Sequence, residues 1–138
     1  MEFKYLNIDD PLIEDIISLF EKDRVGGTSS LSLRRSQMGE NSSIVLACVQ
    51  NDLVIGAVEF SPTYDDVVRI GNIVVEEDYR KQGIATLLLE KVEERIASEY
   101  KPKTIKTIPM PYSYKIFEKF GYLPDRESEY DWFKLVNS

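Results

Sequence analysis

Hydrophobic and polar positions along this chain change their period several times, and each change marks an element. The sharpest change lies near the middle. Residues 67–75 (Val-Val-Arg-Ile-Gly-Asn-Ile-Val-Val) are rich in β-branched side chains and read as a strand. From Ile84 the apolar side chains recur at helical spacing through Leu88, Val92 and Ile96, which predicts a helix over residues 83–100, stopped by Pro102. Residues 44–50 and 53–60 read as two more strands, joined by Asn51-Asp52, a pair suited to a tight hairpin turn. Residues 3–7 alternate weakly and give a first strand. Asp9, Asp10 and Pro11 form a helix-start signature, with Leu12, Ile16, Leu19 and Phe20 as the apolar stripe of a helix ending near Lys22.

Residues 25–30 (Val-Gly-Gly-Thr-Ser-Ser) read as a flexible connection into a second short helix over residues 31–38, and residues 61–66 as a turn. Beyond the long helix, residues 104–108 are a short strand cut off by Pro109 and Pro111. Residues 112–120 follow as a short helix with Gly121 at its C-cap, and residues 129–136 as a last strand. The order β-α-α-β-β-β-α-β-α-β predicts a mixed α/β sheet. Its first part is expected to be antiparallel, with a right-handed β-α-β crossover around the long helix. At 138 residues, a single domain over residues 1–138 is the expectation.

The junction between the middle strand and the long helix carries the candidate chemistry. Arg80-Lys81-Gln82-Gly83-Ile84-Ala85 sits where a strand ends and a helix starts, so free backbone N–H groups face outward at the positive end of the helix. Gly83 lets the backbone approach an anion without an intervening Cβ. Arg80 can offer two parallel hydrogen bonds to phosphate oxygens. The glycine-rich signatures of dinucleotide-binding folds and P-loops are missing.

Composition narrows the possibilities further. With 43% apolar and 30% charged residues the chain has the makings of a globular domain. A net charge of −7, from 17 basic and 24 acidic residues, argues against nucleic acid as a partner and is compatible with a cationic substrate. The absence of histidine excludes Ser-His-Asp and Cys-His catalysis and histidine metal sites. The one cysteine, Cys48, excludes an intrachain disulfide, and its apolar surroundings mark it as a buried structural thiol. The longest apolar run, residues 44–49, is far too short to span a membrane. Residues 1–5 lack a basic region followed by an apolar block, so cytoplasmic residence is expected, with no membrane partner.

Two blocks carry a resemblance. Val75-Glu76-Glu77-Asp78-Tyr79-Arg80-Lys81-Gln82-Gly83-Ile84-Ala85-Thr86-Leu87-Leu88 resembles the acyl-CoA-binding motif of the GCN5-related N-acetyltransferase superfamily, Gln/Arg-x-x-Gly-x-Gly/Ala. Ile116-Phe117-Glu118-Lys119-Phe120-Gly121-Tyr122 is similar to the superfamily's later segment, Leu-Tyr-Glu-Lys-Leu-Gly-Phe. The resemblance implies an acyl-CoA N-acyltransferase-like fold, a mixed α+β sheet with splayed central strands. The pantetheine arm of acetyl-CoA would enter the gap and pair with Ile73, Val74 and Val75 like a substitute strand. The pyrophosphate would rest on Gln82, Gly83, Ile84, Ala85 and Thr86, flanked by Arg80 and Lys81. Backbone donors on residues 73–75 would stabilise the oxyanion formed when a neutral amine attacks the thioester. No metal is implied.

The sequence departs from that pattern at three positions. Phe117 stands where a tyrosine acid is expected, Met110 where an asparagine is common, and Arg69 where some members place a glutamate base. Tyr114, one helical turn from Phe117, is the candidate to supply the hydroxyl, with Tyr112 second. Glu59, read as lying at the end of its hairpin strand beside the cleft, is the candidate base, and proton loss through ordered water is the alternative. Glu76, Glu77, Asp78, Asp125, Glu127, Glu129 and Asp131 either draw a cationic substrate or solvate the surface. The expected activity is acetyl transfer from acetyl-CoA to a primary amine of a small molecule or peptide, by a monomer or homodimer. A catalytically degenerate acyl-CoA-binding regulatory domain is the alternative, and a structural domain without a nucleotide ligand is a third.

Overall fold

Strand formation dominates the first half of the molecule, because four apolar stretches there share one sheet. In the computed structural model, which describes residues 1–22, 31–63 and 65–136, the strands are β1 (Glu2–Leu6), β2 (Ile44–Gln50), β3 (Leu53–Pro62), β4 (Val67–Val75), β5 (Thr104–Thr107), β6 (Leu123–Pro124) and β7 (Trp132–Leu135). The helices are α1 (Leu12–Lys22), α2 (Leu31–Gln37), α3 (Ile84–Arg95) and α4 (Tyr114–Lys119). One seven-stranded sheet runs in the order β1-β2-β3-β4-β5-β7-β6. Every pairing is antiparallel except β4 with β5, which is parallel. The mixed sheet expected from the sequence is therefore present.

The two faces of the sheet explain why β2 reads as a continuous apolar run. Val45, Ala47 and Val49 join Ala57 and Val74 against Ile13, Ile16, Ile17 and Phe20 of α1. Leu46 and Cys48 join Val58, Phe60, Ile70 and Ile73 against Ile84, Leu88, Leu89 and Val92 of α3. A strand covered on both faces has no polar side to alternate with. The β2–β3 turn is as expected: Asn51 and Asp52 both take left-handed backbone, φ 52° and 63°, the conformation a two-residue hairpin requires.

Differences fall at element ends. α3 gives way to a π turn, Ile96–Tyr100, and stops where Lys101 turns left-handed and donates its N–H to Ile96 O at 2.9 Å. α4 starts at Tyr114, two residues later than expected, and closes on Gly121 at φ 92°. The last strand is confined to Trp132–Leu135, and the two-residue β6 beside it gave no sequence signal, being short and half proline. β3 continues through Ser61 and Pro62, which the sequence placed in a turn. The connection predicted over residues 25–30 lies outside the described residues.

Candidate functional site

The site begins with an unequal pairing. β5 pairs with β4 only from Val67↔Thr104 to Ile70↔Thr107, while β4 runs on to Val75. Past Thr107 the chain reaches Pro109 and Pro111, which lack the N–H needed to extend a ladder. The two central strands therefore part after Ile70, closed at that end and open toward the C-terminus of β4.

A β-bulge marks the parting point. Between Val58↔Ile73 and Phe60↔Ile70, the β4 residues Gly71 and Asn72 oppose the single β3 residue Glu59. Oε1 of Glu59 accepts from Asn72 Nδ2 at 2.9 Å and from its N–H at 3.4 Å. A Cβ on Gly71 would stand 2.5 Å from the same oxygen. A side chain at residue 71 would therefore have to displace the carboxylate.

A cleft of 320 Å³ opens in the gap. Its walls are Ile73, Val74 and Val75 of β4; Tyr79, Arg80, Lys81, Gly83, Ile84, Ala85 and Thr86 of the turn and α3; and Tyr112, Ser113, Lys115 and Ile116 beside α4. The strand leaves β4 through a 3-10 turn, Glu77–Tyr79. Arg80 is then extended, and its Nε donates to Val75 O at 2.9 Å, which fixes the guanidinium beside the end of β4. Lys81 and Gly83 both adopt left-handed backbone, φ 64° and 81°, a conformation of the kind found in backbone nests that bind anions. The first bond of α3 runs from Leu87 N–H to Gly83 O, so the N–H groups of Ile84, Ala85 and Thr86 precede the intrahelical ladder. Nothing lies within 4 Å of where a Gly83 Cβ would stand. This is a concave set of backbone donors at a helix N-terminus, suited to a diphosphate.

Of the ten residues expected to hold the cofactor, all but Gln82 line this cleft. Tyr79, Ser113, Lys115 and Ile116 line it too; Tyr79 and Ile116 lie inside the two family-like blocks without having been given a role, and no motif pointed to Ser113 or Lys115. Ser113 is buried, with Oγ bonded to both Met110 N (2.9 Å) and Met110 O (3.1 Å), and so shapes the wall where α4 begins.

Neither of the two residues named for proton transfer lines the cleft. Tyr114 is outside the cleft lining: it is 44% exposed and stacks flat on Trp132, centroids 5.5 Å apart. The late start of α4 puts Tyr112, and not Tyr114, at the cleft wall. Glu59 is not at a strand end, because β3 extends to Pro62; it is 2% exposed, at the bulge. Ala57, two residues before it, and Val45, its partner on β2, both pack with α1, which places Glu59 on the α1 face.

The substituted family positions have structural partners. Phe117 is buried with its ring edge-to-face on Tyr122, 5.1 Å between centroids. The Tyr122 hydroxyl donates to Glu93 Oε2 at 2.7 Å, and Glu93 Oε1 accepts from Lys134 at 2.8 Å. Burial, reinforced by the Glu93 charge, pushes the Tyr122 hydroxyl well above the ordinary phenol range. Arg69 makes a two-point contact with Asp131, at 3.1 and 2.9 Å, which holds that carboxyl below its usual range. Cys48 is fully buried, and loss of solvation raises its thiol pKa, as expected of an inert thiol. Among the described residues no group of His, Cys, Asp and Glu could hold a metal, and no helix is long and apolar enough to cross a membrane.

Comparison with known proteins agrees with this architecture. No curated protein sequence matches the chain. Among solved structures, Tetrahymena GCN5 superposes with a TM-score of 0.77 at 14% identity, covering 99% of this chain and 97% of that one. An aminoglycoside 6'-N-acetyltransferase complexed with coenzyme A gives 0.72 at 20% identity, over 100% and 98% of the two chains. A predicted acetyltransferase from Clostridium acetobutylicum, solved with acetyl-CoA, gives 0.73 at 18% identity, over 92% of each. At these identities the likeness is one of fold. Residues 21–137 match the family model of the acetyltransferase (GNAT) domain, and with a match over most of its length the chain belongs to the GNAT acetyltransferase family.

Proposed function

We propose that this protein transfers an acetyl group from acetyl-CoA to a primary amine by direct attack of the amine on the thioester. The observation that carries the reading is the gap between β4 and β5, which ends at the nest of Lys81 and Gly83. Residues 73–75 offer backbone groups along one side of that gap, and the N–H groups of Gly83, Ile84, Ala85 and Thr86 take the diphosphate. Arg80 and Lys81 flank it with positive charge. Three neighbours of this fold were solved with coenzyme A or acetyl-CoA, which supports the same ligand here.

The acetyl group supplied in this way becomes the acyl half of an amide: an N–C bond forms and a C–S bond breaks. A lysine-like amine, with a reference pKa of about 10.4, must first lose its proton. We assign that step to Glu59. It flanks the closed end of the gap from β3, and Asn72 fixes its Oε1. The acceptor approaches from the α1 face, where the two-point pair Arg69–Asp131 and the Lys106–Asp125 pair (3.8 Å) hold alternating charge on the neighbouring strands. One neighbour acts on aminoglycosides, and another was solved with a bound peptide and CoA; both are amine-bearing classes. A cytoplasmic monomer or homodimer fits the reading.

The test is a panel of polyamines, aminoglycosides and peptide N-termini with acetyl-CoA, read by release of free thiol. Turnover of a panel member is the expected result. Phe117 favours a second reading, a CoA-binding domain without catalysis, because the hydroxyl expected there is replaced by a core phenyl ring. Saturable CoA binding with no turnover across the panel would select it.

A further inference from the structure

When a thioester gives up its acyl group, negative charge grows on sulfur, and a hydrogen-bond donor aimed at that sulfur lowers the barrier. Phe117 has no hydroxyl to give, and the nearby Tyr122 hydroxyl is committed to Glu93. Tyr112 and Ser113 line the open cleft, whereas the hydroxyl of Thr107, outside that lining, stands at the closed end of the gap. Thr107 is the last β5 residue paired with β4, opposite Ile70, and it is 0% exposed. Its Oγ1 has no hydrogen-bond partner among the described residues. A buried hydroxyl left unsatisfied costs about 1–3 kcal/mol, so a group from outside the chain is the natural partner.

The side is set by register. Thr107 pairs with Ile70 on β4 and Trp132 on β7, and shares a face of β5 with Ile105, two residues before it. All three pack in the same cluster as Phe117. Its side chain therefore lies on the α3–α4 face, opposite Glu59 on the α1 face. The two side chains flank the closed end of the gap, Glu59 from β3 and Thr107 from β5. A ligand held by its diphosphate at residues 83–86, with its arm running back along Val75, Val74 and Ile73, brings its sulfur toward that end.

We propose that the Thr107 hydroxyl is the hydrogen-bond donor to the CoA sulfur, taking the place of the hydroxyl absent at Phe117. The inference rests on the acetyl-CoA reading above. An aliphatic hydroxyl does not ionise near neutral pH, so Thr107 stabilises the departing sulfur without delivering a proton to it. The C–S electron pair goes to sulfur, the amine nitrogen forms the new bond to carbon, and the proton lost by the amine returns to the thiolate through solvent.

The test uses Thr107→Val, which keeps the shape and removes the hydroxyl, and Thr107→Ser, which keeps the donor. The reading is the pKa of the free CoA thiol bound to each protein, followed by thiolate absorbance against the acetyl-CoA complex as blank. Wild type and Thr107→Ser are expected to hold the thiol about tenfold more acidic than Thr107→Val does. Ligand-free Thr107→Val is expected to unfold at the same or a higher temperature than wild type. Equal thiol acidity in wild type and Thr107→Val overturns the proposal. So does a lower unfolding temperature of Thr107→Val, which would show the hydroxyl bonded within the protein. Failure of wild type to bind CoA at all removes the underlying acetyl-CoA reading, and is recognised by the missing complex.

Discussion

The two ends of the gap between β4 and β5 are built from different materials. The open end is backbone: left-handed Lys81 and Gly83, and the first N–H groups of α3. The closed end is side chain: Glu59 locked to Asn72 over Gly71, Thr107 with an unsatisfied hydroxyl, and Phe117 in the core. A backbone cradle is set by chain conformation and tolerates changes in most of its side chains. A constellation of buried side chains depends on a few atoms, and the loss of one hydroxyl can disable it.

This contrast can be broken most sharply at the cradle. Gly83→Asp adds a carboxylate where nothing now lies within 4 Å and demands left-handed backbone of a residue with a Cβ. Acetyl-CoA affinity is expected to fall on the order of 100-fold, about 2.7 kcal/mol, by calorimetry. Gly83→Ala, which adds no charge, is expected to lose far less. Equal losses would show that conformation, not charge repulsion, dominates there.

At the closed end, Glu59→Gln keeps an acceptor for Asn72 but removes the proposed base. With a reactive amine in hand, kcat is expected to drop on the order of 100-fold while acetyl-CoA affinity stays within about twofold. An unchanged kcat would reduce Glu59 to a clamp on the bulge. The clamp has its own test, because a Cβ at residue 71 meets Glu59 Oε1 at 2.5 Å. Gly71→Ala is expected to cost about 1–3 kcal/mol of stability in denaturant unfolding. Most of that loss should vanish when Glu59→Ala is added, giving a clear coupling energy.

The smallest effect is electrostatic. The Arg69 contact lowers the Asp131 carboxyl below its reference value of 3.8. Because the folded-state value is the lower one, the pair stabilises the fold above the unfolded value, and that contribution disappears as pH falls through the folded one. Arg69 is 41% exposed, so solvent screening limits the contribution to about 1 kcal/mol or less. Asp131→Asn should therefore narrow the difference in melting temperature between pH 6 and pH 3 relative to wild type. An unaltered pH profile would contradict the pairing.

How far the sequence could be read follows the same division. The cradle was legible because its signals are local: a β-branched strand, one glycine, then apolar residues four apart. Strands β2, β3 and β4 and helices α1 and α3 were legible for the same reason, as was the turn at Asn51-Asp52. The closed end was not. Tyr114 and Phe117 are three residues apart, yet Trp132, fifteen residues beyond Phe117, decides where the Tyr114 ring lies. Glu59 was placed at a strand end because nothing local reveals that β3 continues through Ser61 and Pro62, or that β4 bulges opposite it. Thr107 gives no signal at all, since the role proposed for it rests on burial and on where β4 and β5 part.

Whether the gap and its cradle form an acyl-CoA site is read by calorimetric titration of the wild-type protein with acetyl-CoA. Saturable binding of one acetyl-CoA per chain is expected, lost or strongly weakened in Gly83→Asp while that variant stays folded. Absence of binding at millimolar acetyl-CoA, or equal affinity in the two proteins, would contradict an acyl-CoA site there.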